Sequence, residues 1–526
     1  MKINLNKFEL SPLNLNQILI CLILISSLFA GCATNQVTGR RELNFIGEQS
    51  EISIGDKQYE PGRQMQGGEY ICDKTLSLYV KEIGQSLAAV SDRQLPYEFT
   101  ILNNSTPNAW ALPGGKIAIN RGLLLELQNE AELAAVLSHE IVHAAARHGA
   151  KNMERGMILQ AGLLATSYAL KGYDYANLAV GGAQVALGMI TQKYSRNAEL
   201  EADYYGMHYM AKAGYNPDSA INLQKTFLRL SKGKKSNWLT GLFASHPPSQ
   251  ERVEANKTTA LKFGSTGKIN HDIYQQKIGY LKKTAKAYDN YDQAVALIKK
   301  GSLKKSLNFL EQAIAIEPDE AQFYGARGDV FFKQKQFDSA LNAYNYAINL
   351  NDKYFYFFEK RGLTHKQLGH NQSAVQDLKK SSSLLPTAAS YNELGLFALN
   401  AGDKNGAKQF FMKASSSNSK AGKAALNSYT RLDISDNPQK YIHIRRKENR
   451  GNNAIFSLSN LSPFFLHKTA LKIRFYDSKG NGYQLPIQIP DRIGSRKSIL
   501  ISIDDQTVQT KFQHTIKINV ISTQIF

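Results

Sequence analysis

The spacing of apolar positions changes several times along this chain, and each change predicts a different element. From Asn129 the sequence reads NEAELAAVLSHEIVHAAARHG, with Leu133, Val136, Leu137, Val142 and Ala144 at helical spacing. Asn129 is placed to cap the start of that helix, Glu132 to reach back from three residues on, and Gly149 to end it. Earlier, residues 108–119 alternate on either side of Pro113-Gly114-Gly115, the pattern of a hairpin. Residues 156–190 are apolar and rich in Gly and Ala, in two runs, each shorter than the roughly 18 residues of a membrane span. They predict a helical hairpin, either a lid beside a cleft or part of a core. Lys232, Lys234 and Lys235 mark a solvated loop further on.

After Asn270 small residues recur with a period of 34 or 33, at Ala294, Gly328, Gly362 and Gly395. Two further series follow the same step: Ser306, Ala340, Ala374, Ala407, and Ala313, Ala347, Ser381, Ala414. Leu310, Tyr344, Leu378 and Phe411 fill a matching bulky slot, and Pro318 and Pro386 stand where repeats end. This spacing resembles tetratricopeptide (TPR) repeats, whose small residues let paired helices approach closely. Four repeats over about 289–418 suffice for a stable stack, and such a stack presents a concave surface to protein segments. The aromatic run 354–358 is expected to pack at a repeat junction. From Tyr441 short alternating runs such as AIFSLSN and LKIRFYD, with a turn at 478–482, predict a small antiparallel β-sandwich.

The chain has 526 residues, 43% hydrophobic and 21% charged, which excludes a polytopic membrane protein and a largely disordered one. Net charge is +20, but residues 33–270 carry only +3 while 271–526 carry +16, of which +9 lies in 437–526. No nucleic-acid-binding pattern accompanies the excess, so nucleic acid is not expected as a partner. Anionic lipid, an acidic envelope protein or plain solvation of a basic face all remain. Two lysines followed by an apolar run from Ile18 to Ala30 read as an export signal. The run ends in Leu28-Phe29-Ala30-Gly31-Cys32, which resembles a bacterial lipobox. That resemblance implies a signal peptide over 1–31, lipidation of Cys32 and a periplasmic lipoprotein. Ala33 beside it favours the outer membrane. With Cys21 removed and Cys32 acylated, Cys72 has no intrachain partner.

The chemistry sits inside the first helix, in His139-Glu140-Ile141-Val142-His143. Residues four apart share a helical face, so His139 and His143 can bind one zinc, and Glu140 is placed to activate a water there. Downstream, Glu199 and Asp203 are also four apart, within YSRNAELEAD. Glu199 can be the third ligand and Asp203 can fix the tautomer of a zinc histidine. Glu201 competes for the ligand role but lies about 200° round the helix from Glu199.

These motifs, with Gly206 and AGYNP at 213–217, resemble the HtpX and CAAX-prenyl-protease family of zinc metallopeptidases, in its periplasmic, repeat-carrying branch. The resemblance covers about 42–256. It implies a zincin-like metallopeptidase domain, placed over 32–270; the repeat spacing adds TPR-like helices over 271–436 and the alternating runs a β-sandwich over 437–526, an α+β chain as a whole. It implies one Zn2+ per chain on His139, His143 and Glu199, with Glu140 as base. The edge strand of the 108–119 hairpin would bound the cleft. His246, in SHPP at 245–248, would plug the metal's fourth position, stabilise an oxyanion, or lie in a surface loop. The implied function is cleavage of misfolded or stalled envelope proteins, with the repeats docking clients or outer-membrane assembly machinery. A chaperone or assembly scaffold with a latent zinc site is the alternative.

Overall fold

The computed structural model describes residues 32–157, 188–191, 193–232, 242–447, 454–476, 482–489, 492–503 and 517–525. The export segment 1–31, most of the 156–190 hairpin, the lysines at 234 and 235, and most of the turn at 478–482 lie outside them. Among the described residues no helix is long and apolar enough to cross a membrane. The chain divides into two compact units, the first reaching Phe357 and the second beginning at Phe358.

The first unit opens with a strand pair, β1 (Cys32–Thr34) and β2 (Arg41–Leu43), then helices α1 (Glu48–Met65) and α2 (Lys74–Ala88). A three-stranded sheet follows, built from β3 (Glu98–Leu102), β4 (Ala109–Leu112) and β5 (Lys116–Asn120) in the order β3-β5-β4. The expected hairpin is β4–β5, antiparallel, and β4 stands at the sheet edge. Its turn needs glycine: Gly114 and Gly115 have φ of 78° and 85°, and a Cβ on Gly114 would fall 2.6 Å from Ile52 Cα on α1.

The helix that carries the histidines is α3 (Glu130–Ala145). Asn129 Oδ1 accepts from Glu132 N at 2.9 Å, and the Glu132 carboxylate accepts from Gln128 N at 2.8 Å, so the reciprocal cap forms one residue further out than drawn from sequence. Every residue of α3 is buried, polar ones included, because sheet and helices enclose it on all sides. It does not run on to Gly149. Arg147 adopts a left-handed conformation with φ 62°, and its guanidinium is held by Glu51 at 2.6 Å, Glu154 at 3.1 Å and Ile46 O at 2.6 Å. Those contacts offset the cost of that conformation in a residue with a Cβ. Helices α4 (Arg196–Lys212) and α5 (Asp218–Lys232) pack on α3, and α6 (Gln250–Phe263) packs on both of them.

The repeat helices begin with α7 (Gly279–Lys299), α8 (Leu303–Ile316), α9 (Ala321–Lys333) and α10 (Phe337–Leu350) in the first unit. Helix α11 (Phe355–Gln367) spans the division, and α12 (Asn371–Leu384), α13 (Ala388–Asn400), α14 (Lys404–Ser415) and α15 (Lys420–Asp433) belong to the second. The small and bulky series interlock as the spacing required. A Cβ on Gly328 would meet the Tyr344 ring at 2.6 Å, and one on Gly395 the Phe411 ring at 2.6 Å. Leu310, Tyr344, Leu378 and Phe411 are all fully buried. Phe357 is buried against Gly325, so the aromatic run does pack at a repeat junction.

One hydrophobic core extends from the sheet and α3 into the start of the repeats: Ile119, Val136 and Ile141 share a cluster with Tyr274, Leu281, Tyr288 and Phe323. In the second unit the strands β6 (Ile442–Arg446), β7 (Ala454–Asn460), β8 (Leu466–Tyr476), β9 (Gly482–Ile489), β10 (Ser498–Ile503) and β11 (Lys517–Ile525) form two three-stranded antiparallel sheets. Their orders are β10-β7-β6 and β11-β8-β9, and Phe456, Leu458, Leu471 and Ile473 form the core between them.

Candidate metal centre

Helical periodicity sets the first two donors. His139 and His143, one turn apart on α3, bring their Nε2 atoms to 3.0 Å. Helix α4 crosses α3 and delivers Glu199, whose Oε1 lies 3.5 Å from His143 Nε2 and whose Oε2 lies 3.6 Å from His139 Nε2. The close crossing is made at Gly206, where a Cβ would meet the α3 backbone at His139 N at 3.3 Å. Helix α4 itself starts at Ser195, whose hydroxyl caps Ala198 N. The fourth donor is His246, just after a short helix at Leu242–Ser245. Its Nδ1 lies 3.0 Å from Glu199 Oε1 and 3.3 Å from His139 Nε2. His246 is buried, 4% exposed, which removes the surface-loop reading.

These four residues are the group among the described residues able to hold a metal. A tetrahedron of ligands at zinc-to-nitrogen distance has edges of about 3.3 Å. Four separations among His139 Nε2, His143 Nε2, His246 Nδ1 and Glu199 Oε1, from 3.0 to 3.5 Å, scatter around that value, and the four residues' donor atoms all lie within 4.8 Å of one another. Histidine and carboxylate donors in this number suit zinc, so the residues fit the group that the sequence implied.

The surroundings are electrostatically matched. His139 Nδ1 lies 2.9 Å from Asp203 Oδ1, as Asp203's position one turn from Glu199 anticipated. Arg252, on α6, clamps Asp203 with two bonds of 2.7 Å and places Nη1 2.8 Å from Glu199 Oε2. Burial works to raise both carboxyls. For Glu199 the nearby His246 and Arg252 charges outweigh it and hold the group well below the usual carboxylate range. Asp203 is likewise held down, by Arg252 and then His139. Burial also works to lower His139, but its bonds to Asp203 and Glu199 win and raise it to about 9. His143 goes the other way: burial, aided by the His139 charge, keeps it well below the usual range and therefore neutral.

Glu140 is 1% exposed, and burial raises its carboxyl despite the His246 and His139 charges. Its Oε1 is 3.6 Å from His246 Nε2, and its Oε2 is buried with no hydrogen-bond partner. A carboxyl shifted in that direction holds a proton more readily than an exposed one, as a general base requires.

The structure thus brings together His139, Glu140, His143, Glu199, Asp203 and His246. Glu201 is not among the donors. It points away and accepts from His148 Nε2 at 3.0 Å. Three contributors had gone unassigned: Arg252, His148 and Tyr194. The Tyr194 ring stacks on His143 with centroids 3.9 Å apart. Tyr194 and His148 border the motifs, but Arg252 lies in QERVEAN, which has no pattern to mark it.

Residues 75–260 match the profile of Peptidase family M48, and 328–369 and 388–420 match TPR and tetratricopeptide repeat profiles. The chain is 30% identical over 220 residues to a putative beta-barrel assembly-enhancing protease of Vibrio cholerae, covering 40% of this chain and 44% of that one. It is 30% identical over 222 residues to the mitochondrial metalloendopeptidase OMA1 of Schizosaccharomyces pombe, covering 41% and 63%. With the beta-barrel assembly-enhancing protease of Yersinia pestis the identity is 25% over 338 residues, covering 58% and 68%. The chain therefore spans less than two thirds of the length of the first two of these relatives.

Proposed function

We propose that this chain, an M48 peptidase domain joined to tetratricopeptide repeats, is a zinc endopeptidase of the bacterial envelope that hydrolyses misfolded or stalled proteins. The observation that carries the reading is the convergence of one donor atom each from His139, His143, Glu199 and His246 to within 4.8 Å of one another. When bound, zinc supplies Lewis acidity toward the scissile carbonyl and lowers the pKa of a water toward neutrality. His139, His143 and Glu199 hold it. Asp203, fixed by Arg252, keeps the Nδ1 proton of His139 and so leaves Nε2 free to ligate. Glu140 takes the proton of the attacking water at its unpartnered Oε2 and returns it to the leaving amine. The β4 edge, beside α3, offers main-chain groups to an extended substrate, which suits cleavage with little sequence preference.

The same reading takes Cys32 as the lipidated N-terminus, places the protein in the periplasm on the outer membrane, and assigns the repeats to docking clients or assembly machinery. It assigns the basic region 437–526 to anionic head groups or acidic envelope proteins. It keeps the limits 32–270, 271–436 and 437–526 for the three parts. The test is metal content together with casein cleavage, comparing wild type with Glu140→Gln. Zinc in both proteins with cleavage only in the wild type is the expected result.

A second reading, a chaperone or assembly scaffold with a latent site, is favoured by one observation: His246 Nδ1 fills the fourth donor position. Bound zinc without Glu140-dependent cleavage, even after His246→Ala, would select it.

A further inference from the structure

His143 has a second ring nitrogen, and its partner is another histidine. His143 Nδ1 lies 2.9 Å from His148 Nδ1, and His148 Nε2 lies 3.0 Å from Glu201 Oε1. His148 is 4% exposed, and the Glu201 side chain is 14% exposed, with Arg40 3.5 Å away on its outer side. The pairing is not a product of helix geometry. Five residues apart on a continuous helix, the two rings would point roughly 140° from each other. They meet because α3 stops at Ala145 and the left-handed Arg147 turns the chain back. Four bonds from the Arg147 guanidinium hold that turn, among them those to Glu51 and Glu154, both buried.

We infer that His148, seated on Glu201, is a positioning residue that fixes the tautomer and ring orientation of His143 for metal binding. The inference rests on the metal-centre reading above. With Nε2 turned to the metal, His143 carries its proton on Nδ1 and donates it to His148 Nδ1. His148 then carries its own proton on Nε2 and donates it to Glu201. Every nitrogen has one role, and no histidine in the line is charged. The stacked Tyr194 ring bounds the other face of His143. The two metal imidazoles are therefore supported unequally: His139 by a carboxylate, His143 by a neutral ring that passes the pull of Glu201 on more weakly. Such outer partners typically govern metal affinity by about ten- to a hundredfold.

The test is zinc affinity by chelator competition on the full chain, with thermal melting to establish that each variant is folded. His148→Ala is expected to bind zinc about ten- to a hundredfold more weakly. His148→Asn, whose Oδ1 can stand where Nδ1 stood, is expected to recover most of that loss, and Glu201→Gln, which keeps an acceptor, to bind as wild type. The double variant His148→Ala/Glu201→Ala should bind no more weakly than His148→Ala, because Glu201 acts through the ring. In 15N-histidine NMR spectra the zinc-loaded wild type should show a slowly exchanging Nδ1 proton on His143 that His148→Ala loses. Unchanged zinc affinity in a folded His148→Ala protein overturns the inference, as does His148→Asn binding as weakly as His148→Ala. A wild type that takes up no zinc overturns the metal-centre reading and this inference with it.

Discussion

His246 Nδ1 lies 3.0 Å from Glu199 Oε1, inside hydrogen-bond distance of a residue assigned to the metal. On the proposed function, a side chain in that place would exclude a substrate carbonyl from the fourth position. His246→Ala is expected to retain zinc and to raise basal casein cleavage by about tenfold or more, the gain when the competent form rises from a tenth or less to nearly all. An unchanged or lower rate would show that His246 does not inhibit.

Arg252 neutralises two buried carboxylates at once, Asp203 and Glu199. Replacing it with methionine leaves both without their cation in the metal-free chain. Breaking a buried ion pair from one side costs about 3–5 kcal/mol. Denaturant unfolding of the metal-free Arg252→Met protein should show a loss of that order, and a loss below about 1 kcal/mol would contradict the clamp.

Glu320 joins the repeats to the sheet. Its Oε2 accepts from Asn103 Nδ2 at 2.9 Å and from Tyr288 OH at 2.8 Å, while Arg121 bonds Asn103 and lies 3.4 Å from the Tyr288 ring centre. Nearby, Gln322 donates to Gly67 O at 2.7 Å. Glu320→Ala strands these donors and is expected to cost about 1–3 kcal/mol. Hydrogen exchange should quicken at Asn103 and Tyr288 together. Faster exchange on one side alone would mean that the joint does not couple them.

In the second unit Asp433 closes α15 onto the first strand that follows. It accepts from Asn437 Nδ2 at 2.7 Å, Tyr441 OH at 2.9 Å and Lys440 Nζ at 3.2 Å. Burial works to raise its carboxyl, but these bonds outweigh it and hold the group below 3.8. A depressed carboxyl contributes stability above its unfolded pKa that is lost as pH falls through the folded one. Exchange protection in 430–445 should therefore hold at pH 5–7 and decline below about pH 4. Asp433→Asn should lack that decline, and an identical acid response in both proteins would exclude Asp433 as its source.

The legible parts of the sequence were those governed by a fixed repeat. Four-residue spacing placed His139 with His143 and Glu199 with Asp203, and the 34-residue step paired Gly328 with Tyr344 and Gly395 with Phe411. What escaped depends on contacts far apart in the chain. Arg252 reaches Asp203 from a separate helix, and Arg147 ends α3 early because Glu51 and Glu154 wait for it. Gly149 had the better intrinsic propensity for that turn, and tertiary ion pairs overrode it. His246 was visible as a residue, but its burial against Glu199 depends on the turn that follows Leu242–Ser245.

The core shared by α3 with Tyr274, Leu281, Tyr288 and Phe323 also dictates an order of events during synthesis. The helix bearing His139 and His143 is translated long before the aromatic rings that complete its enclosure. A nascent chain that emerges from its N-terminus holds this helix with part of its apolar surface uncovered until Phe323 has followed. The candidate metal site on that helix thus gains its full enclosure only when the first repeat helices have joined the core.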